Sequence, residues 1–298
     1  FPISDSSQTI IDCFTNATKK LGIDVLTSQS VQSIFKAEDY WKVETNSETF
    51  ACQKLVMTTG SNPKIWEMLS DLGHTIVEAV PSLFTFNIKD NRIKDLMGLS
   101  AFASVKVKNT KLESSGPLLI THWGMSGPGI LRLSAWGARI LAEKNYQFIL
   151  EVNWLNDLTF EETLEKLKEL KLEHSKKAVS KKSPFDFPNR LWESLVLASE
   201  ISEETKWADL SKNQLHNLAN QLTNGQFQVI GKSTFKEEFV TAGGIDLKEI
   251  NFKMMESKLH ENLFFAGEIV NIDAITGGFN FQNAWTGGFI VAEAITSK

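Results

Sequence analysis

Between Leu263 and Ala284 the chain reads Leu-Phe-Phe-Ala-Gly-Glu, then Asp273, then Gly277-Gly278-Phe-Asn-Phe-Gln-Asn-Ala, and this order of residue types leaves few folds open. Four consecutive apolar residues ending in a glycine describe a strand buried on both faces. The glycine lets a ligand approach the backbone closely, because no side chain intervenes. An acid at the carboxyl end of such a strand, Glu268, sits where open α/β sheets bind ligands. The glycine pair then opens a helix from Phe279 to Ile295 that carries few charges and is expected to be buried. The free amides and positive dipole end of that helix suit a phosphate, or the electron-rich edge of a reduced flavin. A glycine turn before an ordinary helix would explain Gly277-Gly278 taken alone. The order strand, Gly267-Glu268, Asp273, glycine pair, helix is what favours a cofactor, although Asp273 also reads as a simple loop or capping residue.

Three further blocks carry weaker signals. Leu55-Val-Met-Thr-Thr59-Gly60-Ser61 is a buried strand running into a turn, a common strand ending that also occurs where a strand passes a dinucleotide. Thr121-His122-Trp-Gly-Met-Ser126-Gly-Pro128 places a histidine and a serine before a helix start. Ser126 suits the N-cap and Pro128 the first turn. The spacing departs from the Gly-x-Ser-x-Gly nucleophile elbow, so Thr121 and His122 stand only as weak catalytic candidates. Gly243-Gly244, in Val240–Asp246, could approach a ligand or simply supply positive φ.

The helices expected from periodicity are 5–21, started by Asp5 or Ser6 and stopped by Gly22, then 63–72, 127–144, 160–172, 188–197 and 211–222. Extended runs are expected at 24–27, 30–37, 40–44, 54–58, 82–87, 102–107, 117–122, 226–230 and 237–241. Helices mixed with alternating strands indicate an α/β protein.

The chain has 298 residues, room for one large domain or two ordinary ones, and a net charge of −5 that gives no bulk attraction to nucleic acid or an anionic membrane. The run from Lys166 to Lys182 includes Lys176, Lys177, Lys181 and Lys182. Glu165, Glu169 and Glu173 interleave with its first half and no aromatic residue lies within it, so it reads as a solvated helix face. No nucleic-acid and no membrane partner is expected, and a small-molecule substrate is. Cys13 and Cys52 and the five histidines show no metal-ligand spacing. Two cysteines and the absence of any apolar run near ~20 residues point to a cytoplasmic protein.

With these blocks in view, the chain resembles the BaiN/YhiN-type flavoproteins, FAD-dependent and NAD(P)-linked oxidoreductases. The matching runs are Phe1–Asp5, Leu55–Ser61, Thr121–Leu131, Val240–Glu249, Met255–Leu259 and Leu263–Trp285. The resemblance implies an incomplete Rossmann-like FAD-binding domain, 1–86 and 237–298, interrupted at 87–236 by an inserted β-barrel with appended helices. It implies that FAD is contacted by the Val31 backbone on the adenine side and by Thr59 and Gly60 at a strand end. Gly267 and Glu268 would lie near the ribityl chain and pyrophosphate, with Asp273 following. Gly278, Phe279 and Asn280 would lie beside the isoalloxazine, with Gly277 also among the cofactor-binding residues. NAD(P)H is the implied co-substrate and an organic molecule the acceptor. The family's opening G-x-G-x-x-G unit has no match here, so the chain is expected to be a truncated flavoprotein with reduced FAD affinity. The other reading is a flavin- or nucleotide-binding module without turnover, with a partner-binding insert.

Overall fold

The structure, a computed structural model, describes residues 2–156, 158–233 and 240–297. The chain forms two compact units, Phe1–Leu55 and Val56–Lys298.

In the first unit, α1 (Gln8–Leu21) begins later than its periodicity suggests, and the Ser6 hydroxyl accepts the Gln8 amide. Its apolar stripe stays exposed, including Phe14 and Leu21. Strands β1 (Val31–Lys36), β2 (Trp41–Thr45) and β3 (Thr49–Cys52) form an antiparallel meander. Ile34 and Trp41 are its buried side chains, and the Lys36 ammonium lies 5.0 Å from the Trp41 ring centroid. The expected run at 24–27 is not a strand.

Strand β4 (Leu55–Met57) leads into the second unit and is followed by α2 (Pro63–Asp71), capped by Asn62, whose side chain accepts from the Lys64 and Ile65 amides. Strands β5 (Ile76–Ser82) and β6 (Thr85–Ile88) replace the single expected run at 82–87. Leu83, at φ 56°, breaks it. Then come β7 (Ser100–Val107), β8 (Glu113–Ile120), β9 (Gly124–Ser126), α3 (Pro128–Trp136), α4 (Ala138–Glu143) and β10 (Phe148–Asn153). The expected continuous helix at 127–144 is divided at Gly137. Helices α5 (Phe160–Glu173), α6 (Asn189–Ala198) and α7 (Lys212–Thr223) match their periodicities within two residues. Thr159–Glu162 and Ser211–Gln214 are reciprocal capping boxes for α5 and α7. The last elements are β11 (Gly225–Ser233), β12 (Val240–Ile245), β13 (Ile250–Asn251), β14 (Glu256–Ser257), β15 (Leu263–Phe265) and α8 (Phe279–Thr296). The expected strand at 237–241 falls partly on 237–239, outside the described residues.

Strands β10, β11, β6, β9, β8 and β7 close, in that order, into an antiparallel barrel. In β7 and β8 buried and exposed residues alternate along nearly the whole length, as a barrel wall with one inward face requires. The barrel interior and the helices α5–α7 share one apolar core containing Phe86, Ile120, Leu150, Phe227, Trp192 and Trp207. Arg92 joins the two layers: its guanidinium bonds both Asp90 oxygens and Gln221 and lies 3.8 Å from the Phe227 ring centroid. Burial alone would push the Asp90 carboxyl up, but the hydrogen bonds from Arg92 outweigh it and hold it below the ordinary carboxylate value.

Strands β13, β14, β15 and β4 form a second sheet in that order, and β12 pairs with β5. A buried chain ties the sheet to the end of α2: Glu249 accepts from His74 Nδ1 at 2.9 Å, and Ser257 Oγ lies 3.1 Å from His74 Nε2. Ser257 Oγ already accepts the Leu259 and His260 amides. Its own proton therefore goes to His74, which must be neutral with Nε2 as acceptor. Burial and the neighbouring His260 pull the His74 pKa below its ordinary value, against the raising effect of Glu249.

Helix α8 corrects the expectation of a buried element. Only Gly287 and Val291 are buried, while Phe281 is 72%, Trp285 61% and Phe289 66% exposed. Low charge reports that a surface is apolar; it does not report that a neighbour covers it. Among the described residues no helix is long and apolar enough to cross a membrane.

Candidate functional site

Strand β15 is buried at every position and delivers the chain to Gly267-Glu268 as the sequence implies. The loop that follows is pinned on three sides. The Trp66 indole donates to the Ile269 carbonyl at 2.9 Å, the Ile245 amide donates to the same carbonyl, and the Asn271 amide donates to Ile245. Glu268 thus stands on a fixed base, half-buried, and among the described residues no donor reaches its carboxylate. Burial raises its pKa.

Asp273 accepts a hydrogen bond from the Ser82 hydroxyl at 2.9 Å, so it joins β5 to this loop. Asn280 closes the turn ahead of it: its Oδ1 accepts the Ala274 amide and its Nδ2 donates to the Ala274 carbonyl, at 2.9 and 3.0 Å. Both halves of the amide are engaged within the loop, which makes Asn280 a staple. Gly278 is the N-cap of α8 at φ 85°, ψ 1°, a left-handed conformation costly for other residues, and no side chain caps the helix. A Cβ added there would meet nothing within 4 Å, and the same holds at Gly60. The other glycine pair behaves oppositely. A Cβ at Gly243 would come within 2.6 Å of Ala79 Cα, and one at Gly244 within 2.5 Å of the Ile269 carbonyl oxygen. Gly243-Gly244 serves close backbone packing, whereas Gly278 faces open space at a helix start.

Asp273 and Phe279 line one cavity of about 440 Å³ together with Ala274, Ile275, Ala135 and Trp136. Trp136, at the carboxyl end of α3, is 60% exposed and Phe279 is 54% exposed, so two aromatic side chains flank the cavity beside the uncapped helix start. Nothing in the sequence marked Trp136, because an apolar residue ending a helix reads as core.

The remaining candidates lie elsewhere. Thr121 Oγ1 takes the Gly124 and Trp123 amides in the β8–β9 turn. Thr121 and His122 line a different cavity, of about 740 Å³, with Lys89, Asn91, Lys94 and Met97. The two cavities share no lining residue. Ser126 is not the cap of α3: Gly127 holds that position, and Ser126 Oγ accepts from Thr85 at 2.8 Å. Val31 is the first residue of β1 and pairs with Thr45 in the first unit, and Thr59 is exposed after β4. Among the described residues no three His, Cys, Asp or Glu side chains group as metal ligands.

A family model, the HI0933-like protein Rossmann domain, matches residues 1–294. The chain belongs to that family. It is an FAD-binding, oxidoreductase-like family. Over 299 residues the chain is 26% identical to the ribosomal RNA dihydrouridine synthase of Escherichia coli, covering 97% of this chain and 72% of the relative. The Haemophilus influenzae protein of the same name is 25% identical, over 99% of this chain and 74% of its own length. The 3-dehydro-bile acid delta(4,6)-reductase of Clostridium scindens is 20% identical, over 100% and 75%.

The residues present fit the pyrophosphate or ring edge of FAD in one respect the structure displays. Gly278 leaves open space where a side chain would stand, at the positive end of an uncapped helix.

Proposed function

We propose that the chain forms the flavin-facing part of an FAD-dependent reductase. It adds hydrogen across a carbon–carbon double bond conjugated to a carbonyl, with NAD(P)H as reductant and a uracil ring in RNA as the favoured acceptor. The observation that carries the reading is the start of α8, where Gly278 and the uncapped first turn open beside a cavity flanked by Trp136 and Phe279. When bound, FAD supplies the two-electron chemistry between nicotinamide and acceptor. The chain's own part is to present amides and a helix dipole to negative charge on the cofactor, and to hold that helix start rigid through Asn280 and the Ser82–Asp273 bond. Trp136 and Phe279 offer flat apolar faces to a planar conjugated ring and keep water from them. The names of the relatives support the bond type, since a dihydrouridine synthase and a delta(4,6)-reductase both saturate a ring double bond. The relatives named for ribosomal RNA are the more similar of the two kinds, at 26% and 25% against 20%, which favours the uracil ring.

The test is anaerobic addition of NADH or NADPH to the FAD-loaded protein, followed at the flavin absorbance band. Uridine-containing RNA or a conjugated enone is then added. Bleaching by one nucleotide and recovery on adding RNA is the expected course. Failure of both nucleotides to bleach the flavin would remove the NAD(P)-linked reductase and leave a flavin-binding module without turnover.

A further inference from the structure

We propose that the lysine loop 174–182 and the cavity beside it dock the phosphodiester backbone of RNA, a placement that rests on the RNA-directed reading above. The interleaved glutamates belong to α5. Beyond Glu173 the chain carries Lys176, Lys177, Lys181 and Lys182 with no acid among them. All four are exposed, and among the described residues none forms an ion pair. Glu203 and Glu204, on the adjoining segment, form none with them either.

The loop that carries these lysines is firmly held. Val179 and Ser180 are buried. The Val179 amide donates to the Thr205 carbonyl at 2.9 Å, and its carbonyl accepts the Trp192 indole at 2.8 Å. The Trp207 amide donates to the Lys177 carbonyl, and Ser180 Oγ to the Glu203 carbonyl. Lys177, Lys181 and Lys182 line a cavity of about 610 Å³ with His174 and Trp207, and Glu173 is the acid on its wall.

Like charges fixed on one short loop repel each other, and a polyanion relieves that repulsion. Because the backbone is already ordered, binding costs little further loop entropy. The net charge of −5 weakens long-range attraction but leaves the local field of the cluster in place within a Debye length of roughly 8–10 Å. The expectation that no nucleic acid would bind weighed the net charge, the glutamates interleaved with the first half of the run and the absence of aromatic residues from it; the four lysines sit on the loop beyond α5.

The decisive comparison uses the FAD-loaded protein and a fluorescently labelled structured RNA transcript, with binding followed by anisotropy over a salt series. Replacing the four lysines together by glutamine is expected to weaken binding by at least about tenfold. It should also lower the slope of log affinity against log salt by roughly 2–3, at about 0.7 per phosphate contact. The fourfold Lys→Arg variant should bind like the wild type, and flavin bleaching by NAD(P)H should be equal in all three. Undiminished RNA binding by the glutamine variant overturns the proposal, as does wild-type binding to phosphatidylserine vesicles or inorganic phosphate in place of RNA. Loss of bleaching with lysine-dependent RNA binding intact would instead count against the reductase reading and leave the docking site standing.

Discussion

The barrel with its helices and the carboxyl-terminal helix α8 both carry phenylalanine and tryptophan side chains, yet these end up in opposite environments. Phe86, Ile120, Trp192 and Phe227 are completely buried among one another. Phe281, Trp285 and Phe289, one turn apart along α8, lie open. The barrel closes on itself and needs no further partner for its strands. Around α8 the buried cluster consists of Met255, Phe264, Ala266 and Val291, a narrow seam on one side of the helix. A hydrophobic residue stabilises a fold only where neighbours remove it from water, so the same side chain is a core element in one region and a free surface in the other.

The largest test of this contrast is a pair of tryptophans. Trp192→Ala should cost about 3–5 kcal/mol, because the indole is fully buried and donates to Val179. Trp285→Ala should change the urea midpoint little. Equal losses would mean that α8 is covered in solution and the contrast is false. Next comes a pair of glycines. Gly244→Ala places a methyl carbon against the Ile269 carbonyl and should lower the melting temperature by several degrees, in the range of overpacking losses of about 1–3 kcal/mol. Gly278→Ala meets no neighbour and should cost only the left-handed strain of roughly 1–2 kcal/mol. Its larger effect should fall on FAD affinity, read by flavin fluorescence. If Gly278→Ala leaves that affinity unchanged, the helix start is not where the cofactor lies.

The smallest expected effect concerns pH and is confined to the second sheet. His74 has its pKa lowered by burial in the fold, so the unfolded chain binds the extra proton first. The stability that His74 contributes is complete above its ordinary value near 6.5 and is lost as the pH falls from there through the folded value. Protonation puts a donor at Nε2 facing a Ser257 oxygen that already accepts two amides. Urea midpoints at pH 7.5 and 5.5 should differ more for the wild type than for His74→Gln. Depression of the Asp90 carboxyl, through Arg92, acts at lower pH and is common to both proteins; that of Glu249, through Thr75 and His74, also acts at lower pH and loses its His74 part in the variant.

Much of the fold was legible because its signals were local. The capped helices α5 and α7 carry Thr159–Glu162 and Ser211–Gln214 in the sequence itself, and the alternation of β7 is visible in 102–107. Closure of the barrel was not legible from residues, since β6 meets β11 across more than a hundred positions and no local pattern encodes that pairing. The candidate site divides the same way. Gly267, Glu268 and Gly278 could be read from strand, acid and glycine in order. Trp136 could not, because its place beside Asp273 comes from how α3 packs. The lysines of 176–182 were visible as charges, but their independence from the α5 glutamates is a property of the loop.

Strands β10 and β11 are antiparallel neighbours, a relation that ordinarily needs a connection of about 2–5 residues. Here the intervening residues 154–224 hold the whole helical layer, and the Trp154 amide donates to Leu222 across the base of the excursion at 2.8 Å. A loop of that length is entropically slow to close unless it first becomes compact. The helices are therefore the clasp of the barrel, and their packing shortens the effective loop that the last strand has to close. Refolding monitored at the barrel should lag behind helix formation, and anything that slows the helices should delay completion of the wall.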